Sequence, residues 1–431
     1  MSFRGLKIYN EPSLDQQGEL IQRPAMDVQE LDQTIQSVFD HVNQDGDKAL
    51  FDLTLKFDRV KLKSLNVDAN ALQESTELIS NDLKEAIDRA YHNIQLFHKS
   101  QELESKRIST SPGVECWQES RAIGKVGLYI PGGTAPLFST VLMLGIPAQI
   151  AGCEERVLCT PPDKNGNIHP AILYAASLCG IQQIYKVGGA QAIAAMVLGT
   201  EFIPAVYKIF GPGNQYVTAA KMKALDYNIA IDLPAGPSEV LVYADDTSYP
   251  QFVAADLLSQ AEHGPDSQVV LVASHADIVQ RVDKAITSQL AQLPRNEIAR
   301  GALSHAYSCV IEDVNRAFDF INLYAPEHFI ISSDHADDYL SLIQNAGSVF
   351  IGNWTPESAG DYASGTNHTL PTSAFARAYS GVSLDSFVKK VTFQKISKAG
   401  IKDLGPTIRI MAEEEQLQGH ANAVKIRMEE L

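Results

Sequence analysis

Between about residue 121 and residue 351 the chain alternates short runs rich in valine and isoleucine with longer stretches of helical character, a pattern few architectures accept. A first series reads KVGLYIP, a helix from about Leu137, ERVLCTPP, a helix around Ala171 to Leu178, QIYKVGG, AVYKIFGPGN and IAIDLPAG. A second reads SEVLVYADD, a helix around Phe252 to Glu262, SQVVLVASH, a helix around Val279 to Leu293, SCVIEDV, EHFIISS and SVFIGNW. Unbroken Val/Ile strands are apolar on both faces, which calls for parallel sheets covered by their connecting helices. Two such series in 431 residues predict two α/β domains, since one core rarely serves a chain of that length. No residue-level repeat links the two series.

The flanks read differently. Val28, Leu31, Ile35, Val38 and Val42 recur at helical spacing, QDGD (44–47) breaks that helix, and Ala49, Leu50, Leu53 and Phe57 begin another apolar face. The first hundred residues are therefore expected to be mainly helical scaffold. After about residue 375 the chain is more polar and closes on a helix-like tail. The apolar stretch 136–153 contains Pro147 and Gln149 and suits a buried helix better than a membrane span. A formal net charge of −17, without a concentrated basic patch, argues against nucleic acid as a partner. Cys116, Cys153, Cys159, Cys179 and Cys309 are odd in number and include no CxxC pair, so neither a disulfide framework nor a zinc ribbon is expected. With an N-terminus lacking signal-peptide or transit-peptide character, these features predict a soluble cytoplasmic protein.

Ligands of doubly wound sheets bind beyond the carboxyl ends of strands. GLYIPGG (127–133), VGGAQ (187–191), GPGN (211–214) and LPAGPSE (233–239) each follow an expected strand. Glycines there let backbone amides approach an anionic ligand, although none of the loops matches GxGxxG. Each alone can be a tight strand-to-helix turn; together, with Tyr129, Gln191 and Asn214 among them, they suggest a ligand crevice. Gln260 and His263, three apart at a helix end, can present an oxygen and a nitrogen to one metal ion, or simply form a polar helix terminus. Asp361 and His368 lie in a long loop-like segment (353–371) among small residues, where a turn aspartate and a solvated histidine would serve as well. His420 reads as a surface histidine. Glu327 and His328, after Pro326 and before Phe329, Ile330 and Ile331, are either a polar loop or an acid/base pair on a rigid support.

IPGGTAPLFSTVLML, GPGNQYVTAAK, LPAGPSEVLV, LSQAEHGPDSQ, YAPEHF, ESAGDYASGTNHTLPT and the terminal GHANAV occur in the order and at about the spacing of the histidinol dehydrogenase family, which the chain resembles from about residue 25 onward. The resemblance implies two α/β domains with incomplete Rossmann-like parallel sheets, a helical N-terminal segment and an extended dimerisation tail. It implies an N-terminal arm (1–24), a discontinuous domain (25–128 and 237–375) with most zinc and substrate residues, an NAD domain (129–236), and a tail (376–431) exchanged with the partner of a homodimer. The implied reaction is oxidation of L-histidinol through L-histidinaldehyde to L-histidine, ending histidine biosynthesis, with two NAD+ and one Zn2+ per subunit. Carried over by motif, Gln260, His263, Asp361 and His420 would hold zinc, with His420 reaching the site from the other subunit. Glu327 would activate water and His328 would take a proton in each oxidation. Ser238, His368 and Glu415 would join those residues in touching substrate, and Tyr129, Gln191 and Asn214 would contact NAD+. A paralogous zinc alcohol dehydrogenase should differ at Glu327, His368 or Glu415, and a binding protein for histidinol or histidine should lack the base or a ligand. All of these are intact.

Overall fold

A computed structural model describes residue 3 and residues 5–23, 28–132, 135–234 and 236–431, without the side chains of residues 28–30 and 69. The Val28 side chain, Gly133 of the first glycine loop and Thr134 after it, Ala235 of LPAGPSE, and Met1, Ser2, Arg4 and Pro24 of the expected arm lie outside the described residues. In chain order the strands are β1 (Lys7–Asn10), β2 (Ile108–Ser111), β3 (Val114–Ala122), β4 (Lys125–Tyr129), β5 (Glu155–Cys159), β6 (Gln183–Tyr185) and β7 (Lys208–Phe210). They continue with β8 (Ala230–Ile231), β9 (Glu239–Ala244), β10 (Gln268–Ala273), β11 (Tyr307–Val310), β12 (His328–Ser332), β13 (Ser348–Ile351) and β14 (Val388–Ile396).

Two parallel sheets result, matching the α/β expectation. One has the order β6-β5-β4-β7-β8, the other β1-β11-β10-β9-β12-β13. Counted within each series, β4–β8 and β9–β13 both run 3-2-1-4-5, a doubly wound order without its sixth strand. The unbroken apolar runs sort by the two-residue period of a strand. Val240, Val242 and Ala244 join Val269, Leu271 and Ile330 under the helices Pro250–Ala261 and Ala276–Leu290, while Leu241 and Tyr243 join Val270, Phe329 and Phe318 on the other face. The helix Phe138–Ala151 is buried at every position from Ser139 to Ala148, as a helix apolar all round should be. Among the described residues no helix is long and apolar enough to cross a membrane.

Packing places three segments in ways that the sequence did not indicate. Lys7–Asn10, inside the expected arm, forms the edge strand β1 against β11. Second, Ile35, Val38, Phe39, Leu50 and Leu53 share a core with Val157, Ile193 and Ile209. The helices Val28–Asp45 and Asp47–Phe57 therefore cover the five-stranded sheet, not the six-stranded sheet of the discontinuous domain. Third, the tail begins as a strand: β14 pairs over nine residues with β3, and with β2 they make a separate antiparallel sheet. Only Val391–Gln394 alternates apolar and polar as a half-exposed strand should, and the lysines on either side interrupt that pattern in the sequence.

Candidate active site

Glu327 and His328 stand at the amino end of β12, beside the amino end of β9, where the order of the six-stranded sheet reverses. The carboxyl side of this switch point is filled by the chain itself. Asp245 accepts from the hydroxyls of Ser333 (2.5 Å) and Thr247 (2.6 Å), and Asn353 bridges Ser332 to the Thr247 carbonyl. The carboxyl-end expectation thus does not extend to this sheet: the clustered groups lie at the opposite edge.

The backbone of Glu239 clamps the pair. Its N–H donates to Glu327 Oε2 at 2.8 Å, and its carbonyl lies 3.1 Å from Nδ1 of His328. A carbonyl only accepts, so Nδ1 carries the proton and Nε2 is the nitrogen left free. Nε2 is buried and makes no hydrogen bond, with Asp361 Oδ1 at 3.5 Å. Glu239 is itself immobilised, its carboxylate bound by both Nε and an Nη of Arg23 at 2.9 Å and by the N–H of Ser373 at 2.8 Å. Arg23 also stacks on the Tyr324 ring at 3.7 Å.

Around His328 the charge balance is unfavourable for a dry site. Glu327 Oε2 lies 3.6 Å and Glu357 Oε1 3.7 Å from its Nδ1. Burial opposes a charged imidazole, but Glu357, Glu327 and Asp361 prevail and hold His328 well above the usual range. Burial lifts the carboxyl of Glu327, and burial together with Asp361 and Glu327 lifts that of Glu357. Burial also acts to raise Asp361, but the nearby imidazole of His328 outweighs it and keeps that carboxylate ionised. Burial depresses His263, so its neutral imidazole keeps a lone pair to donate. One ligand atom each from His263, Glu357 and Asp361 falls within 4.8 Å of the others. Gln260, fully buried on the same helix end as His263, has neither amide atom hydrogen-bonded. A buried amide without partners costs about 1–3 kcal/mol. Surplus buried carboxylate, neutral imidazole and an orphaned amide oxygen together fit a divalent cation of the zinc type, which takes nitrogen and oxygen donors.

The second feature lies at the carboxyl ends of the five-stranded sheet, as expected there. Tyr129 ends β4, Gln191 lies in the first turn of the helix Gly189–Leu198, and Asn214 caps Gln215–Ala224 by accepting from Val217 N–H. All three line one cavity of about 870 Å3. The Tyr129 hydroxyl, raised to about 12 chiefly by burial, accepts from the Gly189 N–H at 3.1 Å. Gly211 has φ +130°, and a Cβ there would collide with the Tyr129 carbonyl, so the GPGN loop can press on β4 only as glycine. A buried ion pair anchors the loop: Lys221 Nζ lies 2.5 Å from Asp232 Oδ1 and donates to the Gly211 carbonyl, while Asp232 Oδ2 accepts from the Gly211 N–H. Lys221→Met leaves Asp232 buried without its cation, and the urea-unfolding free energy is expected to fall by about 3–5 kcal/mol. Adding Asp232→Asn should recover part of that loss; an unchanged midpoint in the single variant would contradict this account.

The structure thus brings Gln260, His263, Glu327, His328 and Asp361 to one region, with Ser238 immediately before β9. Asp361 lies in the helix Glu357–Tyr362, not in the loop expected from its glycines. His368 is half-buried beside it, with Nδ1 at 2.8 Å from the Asp361 carbonyl and Nε2 at 3.1 Å from the Thr140 hydroxyl, and desolvation of the ring holds its charge off. Glu415 and His420 are exposed on the tail and stand outside the His263–Glu357–Asp361 group. Sequence reasoning missed Glu357, Glu239 and Arg23. The four-residue spacing of Glu357 and Asp361 was a usable helical signal; nothing local distinguishes Glu239 or Arg23.

Residues 21–428 match the family model described as histidinol dehydrogenase. The chain is 54% identical to histidinol dehydrogenase of Bacteroides thetaiotaomicron, covering 99% of this chain and 100% of that one. It is 49% identical to the Escherichia coli K12 protein of the same name, covering 100% and 99%. It superposes on the crystal structure of histidinol dehydrogenase from Elizabethkingia anophelis with a TM-score of 0.96 and 53% identity, covering 99% and 98%.

Proposed function

This chain belongs to the histidinol dehydrogenase family, and from that premise we propose that it oxidises L-histidinol through L-histidinaldehyde to L-histidine with two NAD+, closing histidine biosynthesis. The observation that carries the reading is the Glu327–His328 pair, locked by the backbone of one residue, Glu239, beside a carboxylate-rich pocket with an orphaned Gln260. Gln260, His263 and Asp361 would hold the zinc, with His420 of the partner subunit as the remaining ligand of a shared site. The exposed position of His420, away from its own chain's cluster, is what such an exchange requires. Bound zinc would supply a fixed point for the imidazole and amino nitrogens of the substrate. Bound NAD+, lying along Tyr129, Gln191 and Asn214, would supply the hydride acceptor for each oxidation. Ser238, His368 and Glu415 would complete the substrate contacts.

The protein's own part is proton handling. With Nδ1–H given to the Glu239 carbonyl, Nε2 of His328 is the atom that takes the alcohol proton as the carbon loses hydride. A cation held by Asp361 would offset part of the carboxylate charge that raises His328, so that the imidazole can start neutral, and Glu327 and Glu357 would then stabilise the imidazolium so formed. Water must then add to the aldehyde carbon. Glu327 has one oxygen fixed on the Glu239 N–H and the other free to accept a water proton, and burial makes its carboxylate a stronger base than one in solvent. As Glu327 takes that proton, the His328 imidazolium returns its own to the carbonyl oxygen, which completes the hydrate, and the neutral Nε2 then accepts another proton from the hydrate as the second hydride leaves. Two bases divide two proton removals and one water activation without competing for a single site. Purified zinc-loaded protein given L-histidinol and excess NAD+ should release two NADH for each histidine formed. No NADH, or one per turnover with free aldehyde accumulating, would refute this reading.

A further inference from the structure

The helix Asp47–Phe57 ends at Asp58, which lines the same cavity as Tyr129, Gln191 and Asn214. Its Oδ2 is buried without a hydrogen bond, and its carboxylate pairs with no cation among the described residues. A carboxylate at a helix C-terminus faces the negative end of the helix dipole, so the placement opposes helix stability. Burial adds to that cost by raising the carboxyl's pKa. Nothing among the described residues offsets either term, and a half-buried acceptor on a cavity wall is then explained by donors from outside.

The other groups along the cavity narrow the ligand. The helix Gly189–Leu198 starts at Gly188 without a side-chain cap, and the GPGN loop adds further backbone, surroundings that suit a pyrophosphate. Asp58 suits the opposite, a group presenting hydroxyl donors. Its helix packs into the core of the five-stranded sheet. The wall at Ala135 and Pro136 leads instead to Thr140, which meets His368 beside Asp361. A nicotinamide has to lie toward that end to reach the reacting carbon near His328, which leaves the adenosine half toward Asp58.

We propose that Asp58 accepts hydrogen bonds from the hydroxyls of the adenosine ribose of NAD+ and, by charge repulsion, excludes the 2′-phosphate of NADP+. The inference rests on NAD+ being the acceptor in the proposed reaction. The zinc-loaded native protein should favour NAD+ over NADP+ by about 100-fold or more in kcat/KM, since like charges brought together cost heavily. Asp58→Asn should lose about tenfold in kcat/KM for NAD+, through KM, with kcat and the histidinol KM within about twofold of native. Its NAD+/NADP+ preference should fall to about tenfold or less, because the repulsion is gone. On the native protein, ADP-ribose should compete with NAD+ at least about 30-fold more tightly than its 2′-phosphorylated form. An unchanged NAD+/NADP+ ratio in Asp58→Asn, or equal inhibition by the two ADP-ribose forms, overturns the proposal. Native protein that oxidises histidinol with neither dinucleotide overturns the NAD+ reading itself, and the role of Asp58 with it.

Discussion

His328→Asn is expected to slow both oxidations by about 100- to 10,000-fold in kcat, the usual contribution of a positioned general base. Asparagine can still approach the Glu239 carbonyl but offers no basic nitrogen at the Nε2 position. Zinc content and the histidinol KM should stay near native, because the change removes a proton acceptor and not a metal ligand. Glu327→Gln should behave asymmetrically. Its amide can keep its oxygen on the Glu239 N–H, so the clamp survives, while water activation is lost. Oxidation of histidinol to the aldehyde should fall only a few-fold, and oxidation of supplied histidinaldehyde by about 100-fold or more. Single-turnover measurements with each substrate separate the halves. Equal losses in the two halves for Glu327→Gln would remove the division of labour, and a native rate in either half for His328→Asn would remove its role as base.

Removal of the metal should be nearly as damaging and is readable without any turnover. A chelator should abolish activity reversibly and lower the thermal midpoint, since a ligand held at about 1,000 times its Kd stabilises by about 4 kcal/mol. Gln260→Leu tests the site from the opposite direction. The orphaned Gln260 amide is a liability in the metal-free chain, so the leucine variant without metal should be as stable as the metal-free native protein or more so. Zinc should then give that variant little of the gain seen with the native chain, and bound zinc measured by atomic absorption should fall at least about tenfold. A Gln260→Leu variant that is strongly destabilised without metal and still gains fully from zinc would show that Gln260 supports packing and holds no ion.

Much of this arrangement was legible before any tertiary contact was known, for identifiable reasons. The helices Phe138–Ala151 and Pro250–Ala261 and the strands β9, β10 and β12 lie within residue runs whose apolar pattern fits one element type. β14 was not legible because Lys389, Lys390, Gln394 and Lys395 interrupt the apolar pattern, and its partner β3 is remote in sequence. Asp361 was read as loop because Gly360, Ser364 and Gly365 surround it, yet a short helix tolerates one glycine when the packing against Phe350 leaves no room for a Cβ. Glu357 escaped notice because a carboxylate in a polar segment has no local mark of burial, and only the fold places it 1% exposed beside His328.

The sequence by itself determined the layered α/β architecture, because the two faces of a strand and the stripe of a helix are written in residue periods a few positions long. It also carried the family, through motifs long enough to be recognised without a fold. Only the tertiary structure decided at which edge of the six-stranded sheet the reactive groups gather, which nitrogen of His328 is free, and that Glu239, 89 residues away in sequence, holds it. Those features depend on the register between strands and on hydrogen bonds to peptide groups. Every non-proline residue carries the same N–H and C=O, so their partners acquire identity only when the chain has packed.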